Sequence, residues 1–139
     1  MKSQLEYDAA KLGIAEKISW LPPTPKAVEL INAMDLFLLC SREDPFPLVM
    51  LEAALCEKPV LAFKNTGGGD EYIEQDAGWQ APYLDVEQMA TLIGSAHPSE
   101  REKRGKAAQK KVLERYSFEN SMRKMKDLVD QNFIFLQGS

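Results

Sequence analysis

Two short, uninterrupted apolar runs constrain this chain more than any other feature. LFLLC spans residues 36–40 and PVLAF spans 59–63. Five apolar residues in a row are too few for a buried helix. They suit a strand covered on both faces, as in a parallel sheet. A third strand is expected at GWQAP, 78–82. Each run is followed by a loop and then by a helical pattern, and such alternation indicates parallel β-α units. The 139 residues show no internal repeat, low-complexity stretch or linker, and suit one compact domain or one part of a larger one.

The helices announce themselves by their ends. SQLEYDAAKL, 3–12, reads as a helix with Gly13 as its C-cap. KISWL, 17–21, is a further short strand candidate, halted by Pro22 and Pro23. Thr24 followed by Pro25 predicts an N-cap with proline in the first helical position, and a helix to about Ala33. A helix is expected from about Pro47 to Leu55, and a short one over DEYIEQ. Asp85 with Gln88, and Ser99 with Glu102, have capping-box spacing for helices over 86–96 and 100–115. Ser117 caps a last amphipathic helix that ends near Phe135.

Several function classes are disfavoured. The formal net charge is −4, which gives no basic footprint for nucleic acid. No apolar run approaches the roughly 20 residues of a membrane helix. MKSQLEYDAA lacks the apolar core of a signal peptide. The two cysteines, Cys40 and Cys56, lie in apolar segments, so packing rather than a disulfide is expected, in a reducing, cytoplasmic setting. No histidine-cysteine cluster suggests a metal site, and no Ser-His-Asp arrangement can be built. The one histidine, His97, precedes Pro98 and is expected in an exposed loop.

In an open parallel sheet, ligands bind beyond the carboxyl ends of the strands. That rule singles out the loop from Ser41 to Pro47 and the loop from Lys64 to Glu71 as the walls of one crevice. The helix after the first loop begins near Pro47, and the free amides of Leu48 and Val49 at its mouth can hold a phosphate. Glu52 lies one turn further along and suits paired hydroxyls such as those of a ribose, while Asp44 precedes the helix and can accept bonds from other hydroxyls. A second reading stands beside this one: Glu43 and Asp44 complement the helix dipole, and Glu52 is a solvated face residue. The second loop, TGGGDE, is neither a GxGxxG fingerprint nor a P-loop. Its glycines permit close backbone approach and positive φ.

In order, SREDPFPLVMLEAALCEKPVLAFKNTGGGDEYI and DAGWQAPYLDVEQMA resemble the C-terminal, donor-binding half of GT-B glycosyltransferases of the retaining kind called group 1. The family pattern is an acid, a phenylalanine two residues on, and a glutamate eight residues after the first acid. A PV strand, a GG loop and a further glutamate follow. Aligned on Phe46, Asp44 and Glu52 fall on the two acids, Gly67 and Gly68 on the GG loop, and Glu71 on its glutamate. RYSFEN precedes the final helix. The resemblance runs from about Leu5 to Leu128.

The resemblance implies a Rossmann-like α/β fold, a parallel sheet with helices on both faces, as an incomplete GT-B C-terminal domain over 1–139. It implies a nucleotide-sugar partner, a UDP- or GDP-sugar. Asp44 would bind the transferred sugar, with Glu43 as the alternative acid one residue earlier and Gly67, Gly68 and Gly69 beside it. Backbone around Phe46, Pro47 and Leu48 would meet the diphosphate, and Glu52 the ribose. No protein nucleophile, metal or other cofactor is implied. Asp44 is one methylene shorter than the family's usual glutamate, and Pro47 stands where glycine is common. The acceptor domain and the strand bearing the family's basic phosphate grip have no counterpart in these residues, and Arg42 and Lys64 read as solvated side chains. The missing strands would sit between KISWL and LFLLC, leaving LFLLC with an unpaired edge. KISWL pairing directly with LFLLC is one outcome, self-association through that edge is another, and a longer protein of which these residues are a part is a third. The other function class compatible with the sequence is a non-catalytic binding module, or a remnant of the fold.

Overall fold

The computed structural model describes residues 2–137. Three parallel strands form the sheet: β1 (Phe37–Leu39), β2 (Val60–Phe63) and β3 (Gly78–Ala81), in the order β1-β2-β3. Phe37 pairs with Val60 and Leu39 with Ala62, while Val60 pairs with Gly78 and Phe63 with Ala81. The described residues also form seven α-helices: α1 (Lys2–Lys11), α2 (Ala27–Asn32), α3 (Leu48–Leu55), α4 (Gly69–Ile73), α5 (Val86–Ser95), α6 (Pro98–Arg115) and α7 (Phe118–Gln137).

The sheet is covered on both faces because β2 is apolar in both directions. Val60 and Ala62 pack with Met50, Ala53 and Ala54 of α3, with Tyr72 and Ile73 of α4, and with Ala108 and Val112 of α6. Leu61 and Phe63 point the other way, into a smaller cluster with Ala81 and Met89 of α5. This is the α/β architecture with helices on both faces that the alternation of runs and loops predicts.

The caps at Asp85 and Ser117 form as expected. Asp85 Oδ1 accepts from the Gln88 amide at 2.8 Å, and Ser117 Oγ from the Asn120 amide at 3.3 Å. Gly13 follows α1 with φ +68°.

Five expectations are corrected. KISWL is not a strand: Ala15–Lys17 make a 3-10 turn, Ile18 is extended, and the residues after it join no strand of the sheet. Pro22 and Pro23 have no amide hydrogens to offer a sheet, and Ile18 is only half-buried. LFLLC is a strand at the sheet edge, with one face open. Phe37 and Leu39 pack into the larger cluster, but Leu38, on the face where α5 packs on β2 and β3, is 43% exposed. Thr24 does not cap a helix at Pro25; its Oγ1 accepts from the Lys26 amide at 3.1 Å, and α2 starts at Ala27. Ser99 does not cap α6: Pro98, with its fixed φ, starts the helix, and His97 is the N-cap residue. Cys40 is exposed just beyond β1 and Cys56 is half-buried after α3; both are free thiols.

Candidate donor-binding cleft

The two loops that follow β1 and β2 are stitched together by backbone. The Asp44 amide donates to the Thr66 carbonyl at 2.7 Å, the Gly68 amide donates to the Pro45 carbonyl at 2.8 Å, and Asp44 and Gly67 form an isolated parallel bridge. The glycines make this approach possible. A Cβ on Gly67, where φ is +129°, would lie 1.9 Å from the Asp44 carbonyl oxygen. A Cβ on Gly68 would lie 2.7 Å from the Pro45 oxygen and 2.4 Å from the Phe46 ring. Gly69 is different. It is buried at the start of α4, and a Cβ there would meet only Met50 Sδ at 4.0 Å.

The turn between β2 and α4 is held from within. Thr66 is buried, and its hydroxyl donates to the Phe63 carbonyl at 3.0 Å. Asp70 accepts from the Asn65 amide at 2.7 Å through one carboxylate oxygen and from the Gln80 side chain through the other. This ties the glycine turn to β3.

An open cleft of about 400 Å³ lies where the stitched loops meet the segment after β3. Arg42, Glu43 and Pro45 line it from the first loop, Asn65, Thr66 and Gly67 from the second, and Tyr83 from the third. It therefore sits at the carboxyl ends of all three strands, where an open parallel sheet places its ligands. Pro47 is buried as the N-cap residue of α3, and its carbonyl accepts from the Met50 amide at 3.0 Å. No side chain caps this end, and the amides of Leu48 and Val49 have no partner among the described residues. These amides and the helix dipole are what an anion needs.

The residues singled out in the sequence thus fall into three groups. Glu43 and Gly67 line the cleft. Asp44, Phe46, Pro47 and Gly68 build its wall, Asp44 through its backbone. Leu48 and Glu52 are exposed on the first two turns of α3, and no contact joins the carboxylates of Asp44 and Glu52. Arg42 also lines the cleft, while Lys64 and Glu71 are exposed beside it. Asn65, Thr66 and Asp70 lie in the second loop that the sequence singles out but are not individually marked by it, and Tyr83 lies outside both loops. Asp70 was legible in principle, since an aspartate directly after a glycine turn is a frequent acceptor for loop amides. Nothing in the sequence marks Tyr83.

A cleft at the carboxyl ends of a parallel β-α sheet, walled by a glycine turn and a helix mouth, defines an α/β domain with an open crevice where this architecture places its ligands. The chain belongs to the glycosyl transferases group 1 family, whose sequence profile matches residues 1–111. Among curated relatives, it is 43% identical over 62 residues to the D-inositol 3-phosphate glycosyltransferase of Nocardia farcinica, a match covering 43% of this chain and 14% of the relative. The fold matches Anabaena HepE in complex with UDP-glucose with a TM-score of 0.83 and 23% identity, covering 93% of this chain and 36% of that one. It also matches the C-terminal domain of a group 1 glycosyl transferase, LpcC, from Francisella tularensis. There the TM-score is 0.72 at 21% identity, covering 84% of this chain and 63% of that domain. The fold is thus that of a GT-B C-terminal domain. The chain spans about a seventh of the Nocardia relative's length and about a third of HepE's.

Proposed function

We propose that this chain is the nucleotide-sugar-binding part of a glycosyltransferase that moves a glycosyl group from a UDP- or GDP-sugar with retention of configuration. The observation that carries the reading is the stitched pair of loops, with the unpartnered amides of Leu48 and Val49 at the mouth of α3 beside the cleft. In this reading the backbone from Phe46 to Leu48 takes the diphosphate, Glu52 the ribose hydroxyls, and Asp44 or Glu43 the transferred sugar beside Gly67, Gly68 and Gly69. Glu43 lines the cleft, which supports it as the alternative to Asp44 in that role. The complex of HepE with UDP-glucose supports a nucleotide-sugar as the ligand class.

Retention is proposed without a protein nucleophile. Acceptor binding requires a further domain, so the 139-residue chain alone turns nothing over. Two free thiols, one of them exposed, suit the cytoplasm. Among the described residues no helix is long and apolar enough to cross a membrane.

Calorimetry with UDP and with GDP tests the reading. The chain is expected to bind one of them weakly, and Glu52→Ala to weaken that binding about tenfold, the loss of roughly one charge-assisted hydrogen-bond pair. Equal heats for the two proteins would remove Glu52 from the site. Silence from both nucleotides would remove the site itself.

A further inference from the structure

We infer that Tyr116 is a positioning residue for the donor cleft: its ring, at the junction of α6 and α7, holds Phe46 against Gly68 and so sets where the amides at the α3 mouth point. For its effect on ligand binding, this inference rests on the nucleotide-sugar reading.

The contacts form a chain. Tyr116 is the C-cap residue of α6, and its amide donates to the Val112 carbonyl at 2.9 Å. Its ring lies 5.6 Å from the Phe46 ring at an interplanar angle of 31°, and 5.9 Å from Tyr72, edge-on at 67°. Both separations are within the range of favourable aromatic pairs. The Phe46 ring also occupies the space that a side chain on Gly68 would need. Phe46 thus meets both the glycine turn and Tyr116, and these two contacts form a clamp. It sits between Pro45, whose carbonyl takes the Gly68 amide, and Pro47, from which α3 starts. Any shift of the ring moves this short, proline-flanked segment as a piece.

The clamp has a fixed base. Lys111 is buried one turn before Tyr116, and its ammonium donates to the Tyr72 carbonyl at 3.0 Å, to Glu74 at 2.9 Å and to Asp76. Arg115, adjacent to Tyr116, bonds Glu74 at 3.0 Å. The last turn of α6 is thereby pinned to the end of α4. Tyr72 contributes packing rather than a polar bond: it is fully buried, and its hydroxyl has no partner among the described residues. Among the described residues Tyr116 likewise makes no side-chain hydrogen bond, and its contacts are those of the ring. An anion site made of backbone amides binds well only when the amides are held in place beforehand. Tyr116 supplies that hold without touching the ligand.

The test uses the 139-residue chain and three variants. In amide proton–nitrogen spectra of the free protein, Tyr116→Ala is expected to shift or broaden the signals of Gly67, Gly68, Leu48 and Val49, and Tyr116→Phe to leave them in place. Affinity for UDP or GDP is expected to fall at least tenfold in Tyr116→Ala and to return in Tyr116→Phe. Met89→Ala, in the cluster on the opposite face of the sheet, controls for general loss of stability and is expected to bind as the parent does, well below its melting temperature. Unmoved Gly68 and Leu48 signals in Tyr116→Ala, undiminished affinity in that variant, or an equal loss in Met89→Ala would each overturn the inference. If the parent chain binds neither nucleotide, the donor-site reading fails separately, and the amide signals alone decide whether Tyr116 sets the mouth.

Discussion

Gly67 and Gly69 stand two residues apart in one triplet, yet they answer to different constraints. Gly67 combines φ +129° with a backbone carbonyl 1.9 Å from where its Cβ would be. Gly67→Ala is expected to cost about 2–3 kcal/mol, through strain and overpacking together. Urea unfolding measures this. Gly69 has ordinary room around its Cβ position and begins a helix, so Gly69→Ala is expected to stay within about 1 kcal/mol of the parent, on the stabilising side. If both variants unfold alike, the bridge to Asp44 is not what fixes Gly67. The sequence alone shows three equivalent glycines. Which of them bears the close approach depends on how the loop after β1 folds over, and that information is not local.

At the scale of elements, the join between α4 and α6 centres on Lys111. Its hydrogen bonds hold the Glu74 and Asp76 carboxyls below their ordinary range. A carboxylate whose native pKa is depressed adds stability that is fully present above the ordinary value, about pH 4, and is lost as pH falls through the native one. Melting temperatures between pH 7 and pH 3 are therefore expected to drop more for the parent chain than for Lys111→Met. Parallel acid profiles would show that the two carboxylates titrate as if unpaired. Both carboxylates are partly exposed, so the effect is read as a change of slope.

The elements divide by legibility along the same physical line. β2, α3 and α5 were readable because apolar periodicity or a local cap specifies each. KISWL was misread because a strand needs a neighbour, and an apolar pattern is the same with or without one. The cap at Ser99 lost to Pro98, whose fixed φ sets the local geometry first, while the Thr24 hydroxyl accepts from the Lys26 amide in a turn ahead of α2. In the cleft, the glycines and Pro47 were legible as backbone punctuation. Tyr83 and Tyr116 were not, since tertiary packing alone brings them to the loops.

For the whole molecule, the open face of β1 is the notable exposure. Leu38 lies on the outermost strand, 43% exposed, and the preceding segment adds Leu21 at 60% and Val28 at 55%. Unprotected apolar edges favour association. The chain is expected to sediment with a weight-average mass above that of one copy, rising with concentration, and Leu38→Lys to lower it. A concentration-independent single-copy mass for the parent chain would exclude association through this edge.

The ladder contact between Asp44 and Gly67 carries a consequence for how such a cleft can diversify. Because one wall is cast on the other, neither can be lengthened or re-aimed by itself; a substitution that reshapes one side must be tolerated by the opposing turn. Changes in selectivity are then easiest at Tyr83, which meets the cleft from a third segment bound by neither constraint.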